Sequence, residues 1–120
     1  MREDFRPFAP VVLEEHYKEY FDTKGGPSPY MSRICKVKTD KVPGITHVDN
    51  TARIQTINIK DNEKFYNIVN EFYKITGIPM LLNTSFNCQE PIVETPQHAI
   101  RTFKRTGLNL LIIGDWIIRK

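Results

Sequence analysis

The run Asn62-Glu63-Lys64-Phe65-Tyr66-Asn67-Ile68-Val69-Asn70-Glu71-Phe72-Tyr73-Lys74-Ile75-Thr76-Gly77-Ile78-Pro79-Met80-Leu81-Leu82 decides the class of fold. Phe65, Ile68, Val69, Phe72 and Ile75 recur at spacings of 3 and 4, which lines one face of an α-helix. Asn62 can accept from the first free N–H groups and so caps the start. Gly77 stands where a helix ends in the left-handed conformation. The pattern predicts a helix from Glu63 to about Ile75. Met80-Leu81-Leu82 is too short for a second helix and reads as a buried strand.

Working outward, helices and strands keep alternating. Phe8 to Leu13 is apolar and β-prone, with Pro7 and Pro10 suiting an edge or a strand start. Glu14 to Phe21 predicts a short helix, and Asp22 to Pro29 is a loop dense in breakers. Met31 to Lys38 sets Ile34, Lys36 and Lys38 against Arg33, Cys35 and Val37, the period of a strand. Thr39 to Gly44 turns, and Thr51 to Ile59 predicts the next strand. Downstream, Thr95-Pro96 announces a helix through Ala99, Ile100 and Phe103 to Gly107. Leu108 to Ile113 predicts a buried strand, and Gly114-Asp115 a tight turn into a last strand, Trp116 to Ile118. Some strands follow each other by short turns, so the expectation is a mixed α/β sheet with helices packed on it.

The chain has 120 residues, one domain (1–120) by length. Its 40% hydrophobic and 26% charged residues are those of an ordinary globular protein and exclude a disordered, low-complexity one. No apolar run approaches the ~20 residues of a membrane helix. No apolar signal core follows Met1, so the cytoplasm is the expected compartment. Seventeen Lys and Arg against fourteen Asp and Glu give +3, a balance that suits a phosphate-bearing ligand and is too weak to argue nucleic acid. Cys35 and Cys88 sit in no Cys/His grouping, so free thiols are expected and no metal site.

Three polar runs stand out. Asn83-Thr84-Ser85-Phe86-Asn87 directly follows the Met80-Leu81-Leu82 strand. It reads either as an Asx/ST turn closing the strand or as a set of hydroxyl and amide groups holding a ligand at the strand end. His47, Asp49 and Arg53 lie at a loop-to-strand junction. His47 and Asp49 can pair as an oriented base, and Arg53 suits bidentate phosphate contact. The alternative is a packed loop histidine and a surface arginine in an ion pair. Arg6 is framed by Phe5, Pro7 and Phe8, either an anion contact in an apolar setting or a snorkelling side chain of an N-terminal arm. No phosphate-binding loop, dinucleotide fingerprint, nucleophile elbow or zinc-protease motif is present.

Taken in order, these runs resemble a known family. Arg2-Glu3-Asp4-Phe5-Arg6-Pro7-Phe8-Ala9-Pro10, Pro29-Tyr30-Met31, and His47-Val48-Asp49-Asn50-Thr51-Ala52-Arg53-Ile54-Gln55 are similar to the C-terminal region of the nodulation/antibiotic-type O-carbamoyltransferases. The resemblance continues through Gly77-Ile78-Pro79, Asn83-Thr84-Ser85-Phe86-Asn87, Glu90-Pro91-Ile92-Val93, Thr95-Pro96 and Gly114-Asp115. It implies a YrdC-like α/β domain that uses ATP, with Mg, and carbamoyl phosphate to form carbamoyl-adenylate and pyrophosphate. A separate N-terminal metal-dependent part then transfers the carbamoyl group to an acceptor hydroxyl, and that part has no counterpart here.

Carried over residue by residue, the resemblance places ATP and carbamoyl phosphate on Arg6, Arg53, Asn83 and Ser85, with Arg53 and Ser85 catalytic. It gives His47, Asp49 and Thr84 a site-shaping role and no metal ligand. Two departures stand against a complete site. The family motif commonly carries Trp where this chain has Asp4, which adds a negative charge near Arg6. The family's upstream Lys and Arg would precede Met1, so a fragment or excised domain is expected. The rival expectations are a nucleotide-binding or interaction module without chemistry of its own, and an RNA-binding YrdC-like domain. The second is disfavoured by the lack of a basic stripe with interleaved aromatics. The acceptor is not legible: a nodulation-factor sugar, an aminoglycoside and a cephem all fit.

Overall fold

The computed structural model describes residues 8–86 and 91–120. The chain divides into two compact units, Glu3–Thr84 and Ser85–Lys120.

In the first unit the order is β1 (Ala9–Leu13), α1 (Tyr17–Tyr20), β2 (Phe21–Asp22), β3 (Arg33–Val37), β4 (Thr51–Ile57), α2 (Glu63–Thr76) and β5 (Met80–Asn83), with a 3-10 turn at Pro43–Ile45 before β4. The five strands form one sheet in the order β2-β3-β4-β1-β5. β1 runs parallel to β4, and the other neighbours are antiparallel. The expected mixed α/β sheet is what forms.

The helix α2 starts and stops where the sequence places it. The Asn62 side chain accepts from the Phe65 N–H, and Gly77 takes a left-handed φ of 77° while its N–H closes on the Tyr73 carbonyl. Its buried stripe is rotated from the expected one. Phe65, Tyr66, Val69 and Tyr73 pack on Val11, Leu13, Ile57 and Leu81. Ile68 and Ile75 are 51% and 82% exposed. The tyrosines explain the rotation: Tyr66 donates its hydroxyl to the Glu15 carboxylate, and Tyr73 lies 4.5 Å from the His16 ring. Each brings an apolar ring to the sheet with its polar end at the rim. The expected helix at Glu14 to Phe21 shrinks to the four residues of α1, because Phe21 is drawn into β2 and pairs with Val37.

Strand register sorts the side chains. Val12, Cys35, Ala52, Ile54 and Met80 join Tyr17, Phe21, Val37, Val42 and Ile45 in a core on one face of the sheet. The opposite face carries the α2 cluster. The predicted alternation in β3 holds: Cys35 and Val37 are buried, Ile34 and Lys36 exposed. Cys35 is a free thiol, and burial pushes its pKa up against the opposing pull of Arg33. Cys88 lies outside the described residues. Met80 is buried as expected, but Leu82 is exposed, since among the described residues β5 pairs only with β1.

The second unit holds α3 (Pro96–Arg105), β6 (Leu110–Ile113) and β7 (Trp116–Arg119). Thr95 caps α3 by accepting from the His98 N–H, with Pro96 in its first turn. Gly114, at φ 57°, turns β6 into β7. The expectation that Leu108 to Ile113 is a buried strand does not hold, because among the described residues β6 and β7 pair only with each other. Leu110, Ile112 and Ile117 share one face of this ribbon and are exposed, while Leu111, Ile113 and Ile118 on the other are half-buried. Among the described residues no helix is long and apolar enough to cross a membrane.

Candidate functional site

The α2 side of the sheet changes character along its length. Cross-strand register puts Ala9, Val11 and Leu13 of β1 on this face with Asn83 and Leu81 of β5 and Gln55 and Ile57 of β4. Arg53 belongs to it too, two residues before Gln55 on the same strand and opposite the exposed Ile34. Val11, Leu13, Ile57 and Leu81 meet the helix. Beyond them the face carries Arg53, Gln55 and Asn83, a cation and two amides.

Arg53 and Asn83 are held by a loop. β3 pairs with β4 only as far as Arg33 opposite Ile54. Past that point Ser28 takes the vacated place beside β4. Its N–H donates to Thr56 Oγ1 at 2.9 Å, and its carbonyl accepts from the Thr56 N–H at 2.9 Å. Its own hydroxyl accepts from the Arg33 N–H at 3.2 Å. Ser28 is wholly buried, and these bonds are why a serine can be. The chain then reverses over Pro29-Tyr30-Met31, with the Met31 N–H 3.4 Å from the Ser28 carbonyl. Met31 sits in the left-handed region, φ 57°, a conformation that costs a non-glycine residue about 1–2 kcal/mol.

That reversal turns Met31 toward the polar face. Its carbonyl accepts from the Arg53 guanidinium at 3.3 Å, and its sulfur lies 3.9 Å from Asn83 Nδ2. Asn83 Nδ2 also donates to Gln55 Oε1 at 2.6 Å. Arg53 remains exposed, so its charge stays available while one of its N–H groups is fixed. An open cleft of about 350 Å³ adjoins this cluster, lined by Pro29, Tyr30, Gln55, Thr56, Ile57, Asp61, Asn62 and Phe65. A guanidinium beside fixed amides can bind a phosphate and orient a carbonyl compound next to it.

The structure thus brings together Arg53 and Asn83 of the expected site residues. Arg53 lies within β4 on the sheet face, past the loop-to-strand junction where the sequence put it. His47 and Asp49 belong to the turn that feeds β4. His47 and Asp49 do not pair as an oriented base, because the Asp49 carboxylate accepts from the Thr51 hydroxyl at 2.6 Å and from its N–H at 3.2 Å. Those bonds, the hydroxyl's first, hold the Asp49 carboxyl below its usual pKa. The turn itself is closed by the Asn50 N–H on the His47 carbonyl and the His47 N–H on the Thr51 carbonyl. Thr84 is exposed at the end of the first unit, and Ser85 opens the second. Arg6 lies outside the described residues. Among the described residues no three His, Cys, Asp or Glu are grouped to hold a metal.

Gln55, Ser28 and Thr56 carry no site role in the sequence reading, and Met31 reads there as core; the structure leaves it half-buried against Arg53 and Asn83. Gln55 was within reach, since the alternation Arg53-Ile54-Gln55 puts it on the Arg53 face. The Ser28–Thr56 bonds span 28 positions and leave no local signal.

Comparison with known proteins decides the family. The carbamoyltransferase C-terminus model matches residues 1–120. The chain belongs to this family. Nodulation protein NolO of Bradyrhizobium diazoefficiens is 44% identical over 125 residues, covering 99% of this chain and 23% of that protein. Nodulation protein NolNO of Sinorhizobium fredii is 42% identical over 99% of this chain and 18% of its own length. An uncharacterized protein of Methanocaldococcus jannaschii is 40% identical over 97% of this chain and 23% of its own length. The chain therefore spans about a quarter or less of the length of these relatives.

Proposed function

We propose that this carbamoyltransferase C-terminal domain binds carbamoyl phosphate and Mg-ATP on the Arg53, Gln55 and Asn83 face. There it supports formation of carbamoyl-adenylate, and a preceding transferase part passes the carbamoyl group to an acceptor hydroxyl. The observation that carries this reading is the clamp: Met31 fixes an exposed guanidinium and an amide side by side in a family of carbamoyltransferases. In the reaction an oxygen of the carbamoyl group attacks the α-phosphorus of ATP, and pyrophosphate leaves. With carbamoyl phosphate as donor, one water is consumed and phosphate is released. Such transfers rest on positioning and charge neutralisation, which Arg53 supplies without itself taking a proton. The family resemblance also assigns ligand binding to Arg6 and Ser85, and Mg arrives with the nucleotide phosphates.

The test is the thermal midpoint of the chain with and without Mg-ATP and carbamoyl phosphate, for wild type, Arg53→Ala and Asn83→Leu. Ligand at ~100 times its dissociation constant adds about 2.7 kcal/mol of stability. The expected result is a rise in the wild type that both substitutions abolish. A rise that survives Arg53→Ala removes this face from the site. No rise in the wild type or in a longer protein carrying this domain refutes the function.

A further inference from the structure

We infer that Gln55 is a positioning residue that fixes which end of the Asn83 carboxamide meets the ligand, and that this makes the site select a carbamoyl group by its NH2. The inference rests on the function proposed above and assigns the chemistry of recognition within it.

An asparagine amide offers two donors on nitrogen and an acceptor on oxygen, and a half-turn of the side chain exchanges them. Here both neighbours are acceptors aimed at one end. Gln55 Oε1 lies 2.6 Å from Asn83 Nδ2, and the Met31 sulfur, which has no hydrogen to give, lies 3.9 Å from the same nitrogen. A flipped Asn83 would set its oxygen against that sulfur. The nitrogen is thus engaged on both sides. Asn83 Oδ1 has no partner among the described residues, and it is not among the buried polar atoms left unsatisfied there, a set that holds only Thr23 Oγ1. Gln55 in turn has committed its oxygen, its NH2 has no partner among the described residues, and it lines the adjoining cleft.

The pair therefore offers a ligand one acceptor, Asn83 Oδ1, and one donor, Gln55 Nε2. A carbamoyl group is the complement: its NH2 donates and its carbonyl accepts. An acetyl group has the carbonyl but a methyl where the NH2 would be. A site that must hydrogen-bond an NH2 rejects the analogue lacking it, because its acceptor is then desolvated without a partner. Arg53, beside this pair, meets the phosphoryl oxygens common to both compounds.

Two measurements on the chain test this. The first needs no ligand. The side-chain NH2 protons of Asn83, identified by their loss in Asn83→Leu, are expected to be well separated and slow to exchange in wild type and in Gln55→Glu, which keeps an acceptor oxygen. In Gln55→Leu they are expected to collapse toward solvent values. Protons unchanged in Gln55→Leu overturn the positioning role. The second titrates carbamoyl phosphate against acetyl phosphate in the presence of Mg-ATP. Wild type is expected to favour carbamoyl phosphate by about tenfold or more, the value of one lost hydrogen bond. Gln55→Glu weakens both ligands through its charge but keeps the ratio, and Gln55→Leu brings it near one. Equal affinity in wild type, or a ratio that survives Gln55→Leu, overturns the inference. Binding of neither compound, alone or in the longer protein, refutes the proposed function, while the amide protons still decide the role of Gln55.

Discussion

Replacing Thr56 by Val isolates the bond that anchors the Ser28 to Met31 loop. Valine keeps the shape of threonine and the strand preference of the position, and removes only the hydroxyl. The Ser28 N–H, which donates to that hydroxyl at 2.9 Å, is then left without a partner in a residue that has no exposed surface. A buried donor stranded in this way costs about 1–3 kcal/mol. In a unit of this size each kcal/mol lowers the midpoint by roughly 4–8 °C. The control is Thr56→Ser, which keeps the hydroxyl and loses one methyl, worth about 0.8 kcal/mol. Urea denaturation of the three proteins is expected to rank them wild type, serine variant, valine variant. The loop also carries Met31, so Thr56→Val is expected to weaken the Arg53 contact to the Met31 carbonyl and any ligand shift that depends on Arg53. A valine variant as stable as wild type, or more stable than the serine variant, would show that methyl packing rather than the hydrogen bond holds the loop.

Val69→Ala and Ile75→Ala separate the two candidate faces of α2. Val69 is fully buried, so its truncation is expected to cost about 1–3 kcal/mol in urea denaturation. Ile75→Ala should stay within about 0.5 kcal/mol, and a larger loss there would place the buried stripe where the sequence put it. Tyr66 carries a pH dependence: its hydrogen bond to Glu15, aided by burial, pushes its pKa up to about 12. Because the folded value exceeds the ordinary one near 10, the bond's contribution is complete below about pH 10 and is lost as pH rises through about 12. Tyrosinate absorbance is expected to show a group titrating near pH 12 that Tyr66→Phe removes, beside Tyr20, which burial also shifts upward, and a late titration left unchanged by Tyr66→Phe would deny the bond.

The sequence was most legible where local chemistry decides. Asn62 and Gly77 bound α2, Thr95 and Pro96 start α3, and Gly114 turns the ribbon, each through bonds within a few residues. It was least legible where a distant partner decides. Nothing near Ile68 or Ile75 says that two tyrosines, steered by Glu15 and His16, will turn the helix away from them. Nothing near Leu110 says that, among the described residues, its strand will have only β7 beside it. The site divides in the same way. Arg53 and Asn83 were legible as polar interruptions of apolar strands, and the structure places both on one face. The His47–Asp49 pairing failed because Thr51, two residues on, offers Asp49 a hydroxyl and an N–H at once, the usual use of an aspartate in a turn.

One pattern in β4 joins the fold to the site. On its core face stand Ala52, Ile54 and Thr56, and all three are buried. On the other face the order is Arg53, Gln55, Ile57, which passes from charge to amide to hydrocarbon within three side chains. Strand geometry sets these about 7 Å apart. The step from Gln55 to Ile57 is where the α2 cluster begins, since Ile57 packs with Val69 while Gln55 turns to Asn83. The boundary between core and site is therefore written as a change of polarity along one face of one strand, and the opposite face, uniformly buried, keeps the strand in register across it. A slip of one residue would put Arg53 into the core and Ile54 onto the site. The register that buries Ile54 is for that reason the same constraint that presents Arg53 to a ligand, and the two cannot be tuned separately by substitutions within the strand.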